Sequence, residues 1–248
     1  MSATRAEVAV AACSDLFRDA GRILASTVGI VPTIGARLAR LTHAPELLLS
    51  DGEAMLYADV PAVDEPFREP EAHFPYRELF ELMARGRRHV VMGAAQLDRH
   101  GNQNLSAIGD RDHPTRQLLG ARAAATNTVN HATSYWIARH APRVFVEQVD
   151  VVTGVGPARA RAAGAARFQD LRRIVTDLAV LDFTGPGGTL SLHSTHPDVT
   201  IAEVTAATGF ALHLPPEIPT TRNPTADELR IIRERLDPRG LRDREVNR

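Results

Sequence analysis

Residues Arg22–Ser50 read RILASTVGIVPTIGARLARLTHAPELLLS. RILAST is a short apolar strand. VGIVPTIGARLARLTHA follows it, with Pro32 suited to a first helical turn and Ile34, Leu38 and Leu41 recurring at helical spacing. ELLLS is a second strand. A strand, a helix and a strand in this order predict a βαβ unit, with parallel strands joined by a right-handed crossover. This unit sets the expected class: an α/β protein with an open, mostly parallel sheet flanked by helices.

Working outward, Thr4-x-x-Glu7 is a capping box that opens a helix running to about Ala20, with Gly21 as its stop. Residues 51–75 hold four prolines and seven acidic residues and predict a long irregular segment. YRELFELMARG is a helix ending at Gly86, and RHVVMGA is a strand. From that strand's end hangs a loop rich in amides: Gln96, Asp98, Asn102, Gln103 and Asn104. In open α/β sheets, ligands gather at the carboxyl ends of strands. LLGARAAATNTVNHATS predicts a small-residue turn and a short helix, and RVFVEQVDVVTG a long strand. RRIVTDLAVLDF and TLSLHSTHP, joined by a tight turn at GPGG, predict an antiparallel pair. TIAEVTAATG is a helix from about Thr200 to Gly209, FALHL a strand, and PTADELRIIRERLDP a final helix with a second capping box, Thr225-x-x-Glu228. Without repeats or a clean linker, one domain spanning 1–248 is the simplest account.

The chain has 248 residues, with 29 Lys plus Arg against 30 Asp plus Glu. This balance argues against duplex binding, which needs a basic stripe. A single cysteine, Cys13, excludes an internal disulfide and suits a reducing cytoplasm; on an amphipathic helix it reads as packed rather than nucleophilic. No apolar run reaches the ~20 residues of a membrane span. The start of the chain lacks the pattern of a signal peptide.

Several motifs carry two readings. The turn at VGIVPTIGARLA can hold an anion on free helix amides, or be structural. His193 and His196 lack a third ligand nearby and read as a solvated pair rather than zinc ligands; no metal is expected. Ser50, Asp51 and Glu53 follow a strand and can supply a base or nucleophile, or form an ordinary Asp-Gly turn. Arg122 can pair with a ligand carboxylate or cap a helix.

Taken together, these pieces resemble the β subunits of family I coenzyme A transferases. GAAQLDRHGNQN is similar to that family's G-A-x-Q-V-D-x-x-G-N-x-N loop. RVFVEQVDVVTG is similar to its R-x-F-V-x-K-V-D segment, and LAVLDF with LHSTHPDVTIAEVTAATGFAL to its late strand and H-P-G-V-T to T-G-F stretch. The segments fall in the family's order, from about Arg22 to Leu214. The resemblance implies a parallel sheet like that of ribose-phosphate isomerases, an α subunit as partner in an α2β2 assembly, and a coenzyme A thioester as substrate with no other cofactor.

Two departures matter. The family's nucleophilic glutamate lies in a sequence like S-E-N-G, whereas this chain reads Ser50-Asp51-Gly52-Glu53. Its G-x-G-G loop becomes Gly120-Ala121-Arg122-Ala123. Both changes fit a hydrolytic branch of the superfamily, found in actinobacterial steroid breakdown, that opens a ring of a cyclic keto acyl-CoA. The implied chemistry is retro-Claisen-like: water adds to a ring ketone, and the bond to the carbon beside the thioester breaks. It needs a base and oxyanion donors, not an acylated glutamate; the base is expected from the α subunit or Asp51. Gln96 and Asn127 are then expected as polar catalytic groups, and Ser50, Gly52, Glu53, Gly93, Asn102 and Arg122 as substrate contacts. Asp98 and Asn104 are expected to hold the loop's own turns, because their side chains bond nearby backbone amides. The competing readings are a conventional transferase using Asp51 or Glu53, a ligand sensor, and a structural subunit.

Overall fold

The computed structural model describes residues 2–50, 55–85, 88–121 and 123–246. A six-stranded sheet carries the fold. In chain order its strands are β1 (Leu24–Thr27), β2 (Arg88–Met92), β3 (Ala132–Ile137), β4 (Asp170–Thr176), β5 (Ala179–Asp182) and β6 (Ser191–Thr195), and they lie side by side in that order. β1, β2, β3 and β4 run parallel, while β5 and β6 complete the sheet antiparallel. The expected mostly parallel sheet is therefore present.

Side-chain alternation builds a core on each face. Val91, Trp136, Val175 and Val180 point to one side, where they meet Val10, Ile34 and Leu38 of the helices Arg5–Asp15 and Ile30–Leu41, and Phe17 of the turn after the first helix. Val90, Met92, Tyr135, Ile137, Ile174 and Leu181 point to the other, against Leu97, Ala124, Phe145 and Val204. The two helices pack so closely that a Cβ on Gly35 would lie 2.7 Å from the Cβ of Cys13. That contact explains a glycine inside a helix and buries Cys13 completely, as expected of a packed thiol.

The βαβ opening is present, with a modification. Leu48 makes a parallel bridge to Leu24 beside β1, after which Leu49–Ser50 joins a separate antiparallel sheet with Met55–Tyr57 and Pro70–His73. Residues 55–75 are thus more ordered than their prolines suggest. Arg37 and Arg40 of the helix below explain why: they donate to the carbonyls of Tyr57, Ala58, Pro61 and Ala62.

Other expectations need correction. The first helix ends at Asp15, because Phe17, Arg18 and Ala20 bond three residues back and tighten the chain into turns. RVFVEQVDVVTG is not a long strand; Phe145–Val146 pairs with Leu97 and Asp98, Gly154 makes an isolated bridge to Gln103, and the rest folds over the amide-rich loop. The strand that runs through the sheet instead is ATSYWI, β3, buried along its whole length. RRIVTDLAVLDF is two strands, folded at Asp177 and Leu178, where the Thr176 hydroxyl accepts from the amides of Leu178 and Ala179. FALHL makes only an isolated bridge from His213 to Ser191. After the capped helix Ala226–Arg230 the coil widens into a π-helical turn, Ile231–Leu236, and a further helix follows at Leu241–Val246.

Candidate functional site

The loop after β2 is a closed network of side-chain hydrogen bonds. Gln96–Asp98 pairs with Gln103–Asn104 on one side and Phe145–Val146 on the other. Asp98 accepts from the backbone amides of His100 (2.9 Å) and Asn102 (3.0 Å) and from the side-chain amide of Asn102 (2.9 Å). The Asn104 oxygen accepts from the Ser106 amide at 2.9 Å. Both residues hold local turns, in keeping with their chemistry.

Gln96 and Asn102 are committed to the same scaffold. The Gln96 oxygen accepts from Asn104 Nδ2 (2.7 Å) and the Asp150 amide (3.0 Å), and its nitrogen donates to Asp150 Oδ2 (3.0 Å). The Asn102 oxygen accepts from the Gly156 amide at 3.0 Å. Both amides are bonded into the loop's scaffold in this chain. Their partners are Asp150, in the stretch that resembles a strand in sequence, and Gly156, just beyond it. That stretch is the loop's lid, a role its hydrophobic pattern does not reveal.

The scaffold ends on the backbone of β2. Gln103 Nε2 donates to the Gly93 carbonyl at 2.6 Å. Gly93 itself stands in open space: a Cβ there would meet only the Trp136 carbonyl, at 3.9 Å. The position therefore leaves room for close approach at the carboxyl end of β2, where ligands collect in such sheets.

Alongside β2 runs a buried polar line. Arg88 Nη2 donates to Ser26 Oγ at 2.7 Å, and Nη1 to Asn127 Oδ1 at 3.1 Å. Asn127 sits in the short helix Ala124–Asn130, and its nitrogen faces the Met92 sulfur at 3.8 Å. His131 lies beside this line, and neither ring nitrogen has a partner among the described residues. Burial, then the charge of Arg88, pushes its pKa down to about 4, so the imidazole is neutral at pH 7. Arg88, Ser26 and His131 were not singled out from sequence. The pairing of β1 with β2 brings the first two together, and no local spacing records it.

Ser50 is half-buried at the end of its strand. Asp51, Gly52, Glu53 and Arg122 lie outside the described residues. The anion reading of the Ile30–Leu41 helix is answered from within the chain: Glu245 Oε2 accepts from the Val31 amide at 2.7 Å. His196 is buried and bonded to the Thr176 carbonyl and Thr221, not solvated as expected, while exposed His193 stands 3.4 Å from Asp182. Among the described residues no group of three potential metal ligands converges, and no helix is long and apolar enough to cross a membrane.

A family model described as "Coenzyme A transferase" matches residues 6–207. The chain belongs to the coenzyme A transferase family. Within this family it is 52% identical to the cholesterol ring-cleaving hydrolase IpdB subunit of Rhodococcus jostii RHA1, over 98% of this chain and 96% of that one. It is 51% identical to the protein of the same name from Mycobacterium tuberculosis H37Rv, over 98% of each. The crystal structure of IpdAB from Rhodococcus jostii RHA1 superposes with a TM-score of 0.95 at 51% identity, covering 99% of each chain. The amide-rich loop, the line from Ser26 to Met92 and β3 all fall within the part of the chain that matches the coenzyme A transferase model.

Proposed function

We propose that this chain is the β subunit of a heteromeric, coenzyme A-dependent hydrolase that opens a carbon ring of a cyclic keto acyl-CoA formed in steroid breakdown. The observation that carries this reading is identity of 51–52% across nearly the whole length to chains named as cholesterol ring-cleaving hydrolase IpdB subunits. The TM-score of 0.95 with an IpdAB chain supports an α subunit as partner; the family resemblance implies an α2β2 assembly. The acyl-CoA is the substrate and no resident cofactor is called for. A charge balance of 29 against 30 favours neither nucleic acid nor an anionic membrane as partner, and the single cysteine suits a cytoplasmic location.

In this reading water adds to the ring ketone, and the bond to the carbon beside the thioester breaks to leave a thioester enolate. Two oxyanions develop, and each well-placed donor is worth about 3 kcal/mol of barrier. Asn127 and the open backbone at Gly93 are the described groups best placed to face them. Gln96 and Asn102 contribute by holding the loop that positions Gly93. Ser50, Gly52 and Glu53 contact the substrate. Asp51 or a group of the α subunit activates water, and Arg122 pairs with a carboxylate of the partly degraded sterol.

The test uses this chain co-purified with its α subunit. A cyclic keto acyl-CoA from sterol breakdown is supplied in ¹⁸O-water with no acceptor acid. A product one water heavier, with ¹⁸O in a new carboxylate and coenzyme A still attached, is the expected result. Reaction only on adding an acceptor acid, with exchange of coenzyme A, would overturn it in favour of a transferase.

A further inference from the structure

We propose that Arg88 is a positioning residue for this reaction: it fixes the carboxamide of Asn127 so that the amide nitrogen, not the oxygen, is presented toward the carboxyl end of β2. The proposal rests on the ring-opening reading given above and adds a residue to it.

A carboxamide has two nearly isosteric orientations, related by a half-turn that exchanges oxygen for nitrogen. What selects one is the chemistry of its neighbours. A guanidinium can only donate. Arg88 Nη1, 3.1 Å from Asn127 Oδ1, therefore accepts only the orientation with oxygen turned toward it. The opposite orientation would set N–H groups against N–H groups in a buried place, and an unmade bond there costs about 1–3 kcal/mol. Arg88 is itself anchored, since Nη2 donates to Ser26 Oγ at 2.7 Å across the β1–β2 pair.

The backbone of Asn127 is held as firmly. Its amide donates to the Ala123 carbonyl at 2.8 Å, and its carbonyl accepts from Thr133 Oγ1 at 2.9 Å and the His131 amide at 3.1 Å. With both ends fixed, Nδ2 points to the Met92 sulfur at 3.8 Å. A thioether is a weak acceptor, so this contact leaves the amide able to donate more strongly to an oxygen. Met92 is the last residue of β2, and Gly93, next in the chain, is the position where a Cβ would have room. The donor that Arg88 orients is thus delivered to the strand end where the backbone is open.

Arg88→Met, Arg88→Lys, Asn127→Ala and the double variant Arg88→Met/Asn127→Ala, each co-expressed with the α subunit, form the test. Assembly is checked by gel filtration and thermal unfolding. Misplacing a reacting or orienting group by about 1 Å costs up to ~100-fold, so Arg88→Met is expected to lose about 10- to 100-fold in kcat with KM within about threefold of wild type. The double variant is expected to be no slower than Asn127→Ala by more than about twofold, because Arg88 acts through Asn127. Arg88→Lys, which keeps charge but loses the fork, is expected between wild type and Arg88→Met. Wild-type kcat in a folded Arg88→Met complex overturns the proposal, as do losses that multiply in the double variant. If Arg88→Met does not assemble, the same cycle is run with Arg88→Lys. If the wild-type complex exchanges coenzyme A with an acceptor acid and opens no ring, the reading of the reaction falls, and the cycle run on the exchange rate decides the role of Arg88.

Discussion

Asp98 shows how one side chain can hold a whole loop. Its carboxylate accepts three N–H groups, two from backbone, and all lie inside the loop after β2. Asp98→Ala leaves those donors unmet, and we expect a loss of about 2–3 kcal/mol in chemical denaturation together with reduced turnover in the assembled enzyme. Glu7 has a comparable role far from the site. It is fully buried and accepts from Arg233 (2.7 and 2.8 Å), Arg242 (2.9 Å) and its own helix cap at Thr4, joining the first helix to the last two. Burial alone would raise its pKa, but these bonds and the two arginine charges hold it down to about 2. Removing one partner of a buried pair typically costs 3–5 kcal/mol. Glu7→Ala is therefore expected to lower thermal stability sharply, and a variant that unfolds at the wild-type temperature would show that the clamp contributes little.

At the scale of elements, the amide-rich loop needs a glycine at its tip. Gly101 has φ of 75°, and a Cβ there would lie 2.5 Å from the Phe183 ring. Gly101→Ala combines strain from the left-handed backbone with a clash, each of order 1 kcal/mol or more. We expect weakened amide-exchange protection across Gln96–Asn104, with little change in the parallel strands. Helices were legible in the sequence where a capping box opened them, as at Thr4 and Thr225, or where a first-turn proline preceded a 3.6-residue period, as in Ile30–Leu41. Strands were less so. β3 reads ATSYWI and buries every residue, so it lacks the alternation that marks a half-exposed strand. The stretch after Arg143 has that apolar pattern, yet folds as a covering loop because Asp150, Thr153 and Gly156 bond to the loop beneath.

For the molecule as a whole, buried neutral histidines set the response to acid. Desolvation lowers His89 and His140 to about 3, and His131 and His196 to about 4, from an ordinary 6.5. The unfolded chain binds protons at these sites below pH 6.5, and the folded chain does not. Stability is therefore complete above pH 6.5 and falls as pH drops from there toward 4, by up to ~1.4 kcal/mol per histidine per pH unit. Glu7 adds its own loss between pH 4.5 and about 2. Urea midpoints measured from pH 7.5 to 5 are expected to fall steeply below pH 6.5; a flat profile would mean that these rings take up protons within the fold.

The sequence by itself determined the α/β class, the leading βαβ unit, the capped helices, the turn-holding roles of Asp98 and Asn104, and the membership of a coenzyme A transferase lineage. The structural features are properties of short stretches, where periodicity, caps and turn chemistry act over a few residues, and the lineage is carried by the resemblance of three ordered motifs. Only the tertiary structure decided that Gln96 and Asn102 serve the scaffold, that Glu245 fills the helix terminus at Val31, and that Arg88 reaches both Ser26 and Asn127. Those contacts join residues between 39 and 214 positions apart. A hydrogen bond depends on distance in space, and strand pairing, not spacing along the chain, sets that distance.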